Sequence, residues 1–206
     1  GDVRNVVARG IVLTIEFPDG VRPLAFVGRE GVIRGQTGEL SLNQLYGGQE
    51  KFALVEVEVA SKRAGEKREI AKASLSFEDP LTQRRLTTRA HGSVSFSSDR
   101  REVVASANAR VQTDYAVNLT AQAKDSAVEL VDVNRRDEAA RQLRTRNEEL
   151  KKIATTYNNP AVASMVESNA KEADRLERDG LDNVARKSYR AENAQTRTQQ
   201  SSSSSR

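Results

Sequence analysis

The 206-residue chain has no cysteine and no tryptophan, a single histidine, His91, and only four prolines. Without cysteine there are no disulfides, no thiolate metal ligands and no cysteine nucleophile, and either redox environment is compatible with the chain. Aromatic residues make up 4% of the sequence, so any core must be mostly aliphatic. No sign of charge dominates, since 33 Lys and Arg stand against 29 Asp and Glu for a net +4. Cut at residue 100, each half carries +2, from 15 basic and 13 acidic residues before the cut and 18 and 16 after it. Neither half is an obvious polyanion binder. No run approaches the ~20 consecutive apolar residues of a membrane helix. The start, Gly1-Asp2-Val3-Arg4, lacks the apolar core of a secretion signal and carries no Met, which suggests a soluble fragment excised from a longer parent.

Two patterns divide what is present. In the first half, Ile11, Leu13, Ile15 and Phe17 alternate with Val12, Thr14 and Glu16 until Pro18-Asp19-Gly20, which reads as a half-buried strand and a turn. Period-two segments recur at 24–27, 32–34, 39–45, 52–59, 69–77, 86–89 and 93–96, separated by glycines and by Asp79-Pro80. Short strands spaced by turn residues, with no helical period between them, predict an antiparallel β-sandwich over residues 1–100. Its five phenylalanines, Phe17, Phe26, Phe52, Phe77 and Phe96, read as core plugs.

Past Ser97-Ser98-Asp99 the composition turns to Ala, Arg, Glu, Asn and Gln, and a helical extension is expected over 101–194. A first helix runs from Glu102 or Asn108 to Val133 with Val104, Val111, Tyr115, Leu119 and Leu130 on one face. A second, capped by Asp137, carries Ala140, Leu143, Asn147, Leu150, Ala154 and Tyr157 at spacings of three and four, and the two form an antiparallel hairpin. A third over 161–178 follows Asn158-Asn159-Pro160 and lines up Val162, Met165, Val166, Asn169, Ala173 and Leu176. A fourth over 181–193, with Leu181, Val184, Ala185 and Ser188, is poor in apolar residues and needs a partner surface. The fold class is thus α+β by segregation, an N-terminal antiparallel β-sandwich followed by a C-terminal helical hairpin or bundle. The Gln, Thr, Ser and Arg of 195–206 predict a disordered polar tail.

Chemistry-bearing constellations are scarce. His91 is the only candidate base for a Ser or Thr nucleophile, and no Gly-x-Ser-x-Gly elbow exists. Gly28-Arg29-Glu30-Gly31 is not followed by Lys-Ser/Thr and reads as hairpin glycines rather than a phosphate cradle. Glu56 and Glu58 lie two apart on one strand face, which suits a solvated sheet surface better than acid–base catalysis. Glu148-Glu149 and Lys151-Lys152 read as a charged helix surface, and Asn118-Leu119-Thr120, though a glycosylation sequon, falls within a helix. The couplets Arg84-Arg85, Arg100-Arg101, Arg135-Arg136 and Arg186-Lys187 are basic, but acidic neighbours interrupt all except the first.

One family resemblance emerges. Val7-Ala8-Arg9-Gly10-Ile11-Val12-Leu13-Thr14-Ile15-Glu16-Phe17-Pro18-Asp19-Gly20-Val21-Arg22-Pro23 resembles the strand that follows the von Willebrand factor type A (VWA) domain in bacterial VWA-domain proteins. Leu42-Asn43-Gln44-Leu45-Tyr46-Gly47-Gly48-Gln49-Glu50-Lys51 is similar to a turn that this family places before a long strand. The likeness continues through Arg68-Glu69-Ile70-Ala71, Ser95-Phe96-Ser97, Val104-Ala105-Ser106-Ala107-Asn108 and Thr198-Gln199-Gln200. In that family a divalent metal binds an Asp-x-Ser-x-Ser motif of the VWA domain. That motif does not occur in this chain, so the resemblance implies no metal or cofactor here and places any divalent metal in an upstream VWA domain.

The chain is accordingly expected to be a non-enzymatic structural and protein-interaction module that braces an upstream VWA domain, in a parent at or beyond the cell envelope. The alternatives are a carbohydrate- or ligand-binding sandwich and weak nucleic-acid binding through the basic C-terminal stretch, where 181–206 carries +3. Two interaction surfaces are expected. Tyr46, Gly47 and Gly48 form a turn that faces the missing domain, and Val162, Met165, Val166 and Leu176 meet either the helical hairpin or an unknown protein partner. No catalytic, cofactor or metal residues are assigned, and neither a membrane segment nor nucleic acid is expected among the partners.

Overall fold

The structure is a computed structural model in which residues 5–202 are described. The chain divides into two compact units, one of Gly1–Asp99 joined by Gln199–Arg206, the other of Arg100–Thr198.

The strand unit is built on β1 (Val6–Glu16), β2 (Val21–Val27), β3 (Val32–Arg34), β4 (Thr37–Tyr46), β5 (Gln49–Lys51), β6 (Leu54–Val59), β7 (Lys67–Glu78), β8 (Arg85–Ser95) and, from the far end of the chain, β9 (Gln200–Ser202). A five-stranded sheet has the order β3-β4-β1-β7-β8, while β2-β6 and β5-β9 form two-stranded sheets. Every described pairing is antiparallel. The period-two pattern of β1 sets the register: Leu13 lies opposite Leu40 and Leu75, Ile15 opposite Gly38 and Ala73. The intervening positions pair Thr14 with Glu39 and Ser74, and Glu16 with Thr37 and Lys72, so one face is apolar and the other polar. Gly10, at φ 51, sits where the β1–β7 register shifts between Arg9 and Val12, a bulge that glycine accommodates.

Among the described residues of this unit, Ala8, Ile11, Phe17, Val21, Val27 and Leu40 are buried apolar side chains. Gln36 fastens the turn after β1. Its backbone carbonyl accepts from the Phe17 amide at 2.8 Å, and its side-chain Nε2 donates to the carbonyls of Phe17 and Val21 at 3.1 and 2.7 Å. The Phe26 ring lies against Gly31 and Gly38, and a Cβ on Gly31 would fall 2.4 Å from a ring carbon.

These findings correct the expected architecture. The strands do not form an N-terminal β-sandwich that is complete before the helices begin. They form one five-stranded sheet and two ribbons, and one ribbon is completed by β9 after the helices have been traversed. The segments 86–89 and 93–96 are one continuous strand, because Gly92 pairs with Ala71 beside Ile70 rather than making a turn. The stretch beyond residue 194 is helical to Arg197 and becomes β9 at Gln200. Residues 203–206 lie outside the described residues.

The helical unit comprises α1 (Arg100–Ser106), α2 (Ala109–Asp132), α3 (Arg136–Tyr157), α4 (Pro160–Asp179) and α5 (Asn183–Arg197). The chain breaks between α1 and α2 because the Asn108 side chain accepts from the amides of Arg110 and Val111, an N-cap that starts a new helix. Asn134, at φ 61, turns the chain so that α3 begins at Arg136. Asp137 is therefore in the first turn and is not the cap the sequence suggested. Asn158 closes α3 in the left-handed region, and Asn159 opens α4 by accepting from Ala161 and Val162. Helices α2, α3 and α4 pack about Ala123, Ala127, Ala139, Ala140, Leu143, Ala173 and Leu176. Of the apolar face expected for the first helix, Leu119 is buried and Leu130 packs against this core, alanines occupy much of the rest of the contact, and Val111 is left 51% exposed. In α5 the expected Val184 is 76% exposed and the buried residues are Tyr189 and Asn193.

Replacing Gly31 by Ala should lower the urea midpoint of the strand unit by an amount equivalent to about 1–3 kcal/mol with an unchanged m-value, because the Phe26 ring has to move. An unaltered midpoint would show that the ring relaxes freely.

Candidate functional site

The residues that carry chemistry in the sequence are not gathered by the fold. His91 is exposed on β8 opposite Lys72. Glu58 is paired across β2–β6 with Arg22, which donates from Nε at 2.9 Å, while Glu56 lies opposite Ala25. The two carboxylates thus serve an exposed sheet surface. The sequon asparagine, Asn118, is 1% exposed and donates to the Asp114 carbonyl at 2.8 Å inside α2. Several basic couplets are engaged locally. Arg85 donates to Ser76 at 2.8 Å, Arg135 pairs with Glu138 at 2.5 Å, and Arg186 and Arg190 share Asp132. Among the described residues no three His, Cys, Asp or Glu side chains converge as metal ligands would.

The Tyr46-Gly47-Gly48 turn links β4 to β5. The Gly47 amide donates to the Asn5 carbonyl at 2.9 Å, Gly48 has φ 69, and the Tyr46 hydroxyl accepts from Gln44 Nε2. This geometry throws β5 out as a short strand, and β9 pairs with it in the register Gln49↔Ser202, Glu50↔Ser201 and Lys51↔Gln200. Gln49 Nε2 donates to Gln200 Oε1 at 2.8 Å, and Ser201 Oγ donates to Glu50 at 3.1 Å. Just before β9, Gln199 is 1% exposed. Its Nε2 donates to the Val27 carbonyl at 2.6 Å, and its own carbonyl accepts from the Phe52 amide at 3.0 Å. The turn residues therefore present an edge that receives an extended segment. Sequence reading missed this role, because three-residue strands carry no periodicity and a Gln/Ser tract has no apolar signal.

The second expected surface lies inside the helical unit. Val162 and Leu176 are 0% and 1% exposed, and Met165 and Val166 are half-buried. Met165 Sδ accepts from Thr120 Oγ1 at 3.3 Å, and the Val166 carbonyl accepts from Asn147 Nδ2 at 2.9 Å. Of the two readings of this stripe, its surroundings here are those of packing against α2 and α3.

Beside the stripe runs a polar seam that sequence reading did not identify. Lys124 of α2 is buried, and its ammonium contacts Glu172 of α4 at 3.0 Å and Glu192 of α5 at 2.9 Å. The Tyr189 ring lies 5.2 Å from the same nitrogen. A lysine at the helical spacing of Ala116, Thr120, Ala123 and Ala127 was the available clue. Burial pulls the Lys124 ammonium down, but the Glu192 and Glu172 carboxylates outweigh it and hold the group above its ordinary 10.5. Burial, reinforced by Glu172, raises the Tyr189 phenol above its ordinary 10.0. Asp125 accepts from Asn193 at 2.7 Å, so α5 is attached to α2 largely by polar contacts.

Both raised groups hold their protons more tightly in the folded chain, so their stabilisation is complete below their ordinary values and is lost as pH rises through the folded ones. The melting temperature of the helical unit, followed by circular dichroism, should hold steady up to about pH 10 and fall as pH rises beyond it, and Lys124→Met should flatten part of that fall. An identical slope in the variant would show that the seam does not couple to folding.

No protein-family model and no curated relative matches this chain. Among solved structures it is similar to a von Willebrand factor type A protein from Catenulispora acidiphila, with 13% identity and a TM-score of 0.49 over 84% of this chain and 45% of that one. It is also similar to VWA2, the ArnB paralog from Sulfolobus acidocaldarius, with 12% identity and a TM-score of 0.42 over 91% of this chain and 43% of that one. The chain spans less than half the length of either protein.

Proposed function

We propose that this chain is a non-enzymatic protein-interaction module that braces a VWA domain of the same parent protein. The supporting observation is β8. It is an edge strand of the five-stranded sheet, 11 residues long, and ten of them are exposed. The apolar row of the sheet runs out onto it, since Ala73 is opposite Ala90 and Phe77 is opposite Leu86. Leu86 is 43% exposed and Val94 36%. An exposed edge with an apolar flank is the kind of surface that a second polypeptide covers by strand addition or face packing. Arg84, Arg85 and Arg89 border the same strand and suit an acidic rim on the domain that docks there. The dispersal of His91, Glu56 and Glu58 supports the non-enzymatic half of the reading. Any divalent metal belongs, in this reading, to the VWA domain and not to the module. No helix of the described residues is long and apolar enough to cross a membrane.

The test is a calorimetric titration of this chain with the separately expressed polypeptide encoded directly upstream of it. Binding is expected, and Leu86→Glu should weaken it by about tenfold or more without changing the melting temperature, because the side chain is already half in water. If the two polypeptides do not associate, or if the variant binds as tightly as the parent chain, the bracing reading falls.

A further inference from the structure

The β5–β9 ribbon joins opposite ends of the chain through a small set of contacts, and none of those contacts depends on which molecule supplies β9. The seat for Gln199 is made by the Val27 carbonyl and the Phe52 amide, and the strand register by Gln49, Glu50 and Lys51. A second copy presents the same Gln-Gln-Ser sequence at the same distance from its own helix α5, so exchange preserves every hydrogen bond of the ribbon. Other extended peptides share the backbone ladder, but they lack the glutamine that reaches Val27 and the serine that reaches Glu50.

The connection into β9 gives the exchange a physical cause. Between Arg197, the last residue of α5, and Gln200 only Thr198 and Gln199 remain. Gln199 makes the turn at φ 44, in the left-handed region that residues with side chains rarely occupy. A short connection under strain favours donation of the segment beyond it to a neighbour, where the same pairing forms.

We propose that the β5 edge, together with the Val27 carbonyl, is a strand-receiving site that takes the Gln199–Ser202 segment of a second copy of this chain, giving a dimer with exchanged C-terminal strands. The interface is isologous, since each copy gives the strand that it receives.

The cysteine-free sequence makes the test direct. Glu50→Cys and Ser201→Cys chains, each altered at an exposed position of one directly opposed pair, are prepared separately, mixed and oxidised over a concentration series. Neither chain can form this bond within itself, so a disulfide joining position 50 to position 201, identified by mass spectrometry of the linked peptides, reports exchange. Its yield should rise about tenfold for each tenfold increase in concentration while the dimer is the minor species. Inserting Gly-Ser-Gly-Ser between Thr198 and Gln199 of both chains, which lets the strand close on its own molecule without strain, should reduce the yield severalfold. A 50–201 yield no higher than the 50–50 and 201–201 links of random collision would overturn the proposal. So would a yield indifferent to the insertion, or a dimer on a sizing column that survives removal of residues 199–206.

Discussion

The chain has too few bulky apolar side chains to fill two interiors, and the rest of its structure answers that constraint. Five of the seven residues at the centre of the helical unit are alanines. Alanine lets helix backbones approach closely but removes little surface from water, at ~25 cal/mol per Å2 of apolar area buried. Polar side chains therefore occupy interior positions, and their hydrogen bonds fix the packing. Asn147 reaches the Val166 carbonyl of α4. Asn159 caps α4 and also donates to the Ala109 carbonyl at 3.2 Å, tying the start of α4 to the start of α2. Lys124 draws carboxylates from two further helices onto α2. Each such group is costly when unpaired, so the network selects one arrangement more sharply than alanine contacts alone can.

In the strand unit the same scarcity has a different consequence. Apolar residues suffice to bury one side of the sheet near β1 and β4, where Ile11 and Leu40 are each 3% exposed. They give out towards β8, which remains exposed along almost its whole length. At the opposite end of the chain, a glutamine in place of an apolar plug anchors the returning segment beside Val27. Both features leave backbone pairing positions at the margins of this unit, which is why the function proposed for it rests on edges rather than on a pocket.

The strands β1 and β4 were legible because each buries residues on one face and keeps the other in water, and so alternates. The 32–34 segment coincides with β3, and the second helical face is buried from Ala140 through Leu143, Asn147 and Leu150 to Ala154, as its spacing implied, while Tyr157 at its end is exposed. Of the two starts offered for the first long helix, Glu102 and Asn108, the Asn108 cap is the one that opens α2, whereas the shift of the α3 start to Arg136 was not legible, since it depends on a backbone turn that competes with a run of good helix formers. The predicted sandwich fails for a related reason. Alternation states that one face of each strand is covered, but it does not state which strands share a sheet. Of the residues proposed for interaction, Tyr46, Gly47 and Gly48 were recognisable as a turn, yet the strand that the turn presents has only three residues and no pattern of its own.

The amino-acid sequence by itself determined the local periods, the capping asparagines and the division into strand-rich and helix-rich stretches, because these follow from interactions within a few residues. It also determined that no thiol chemistry is available. Only the tertiary structure decided that Lys124 would be buried between Glu172 and Glu192, that β8 would be left at an edge, and that Gln199 would turn back to meet Val27 and Phe52. Those outcomes join residues 48 to 172 positions apart. At such separations neither spacing nor propensity carries a signal, and the pairing is set by which partners the packed backbone brings within hydrogen-bonding reach.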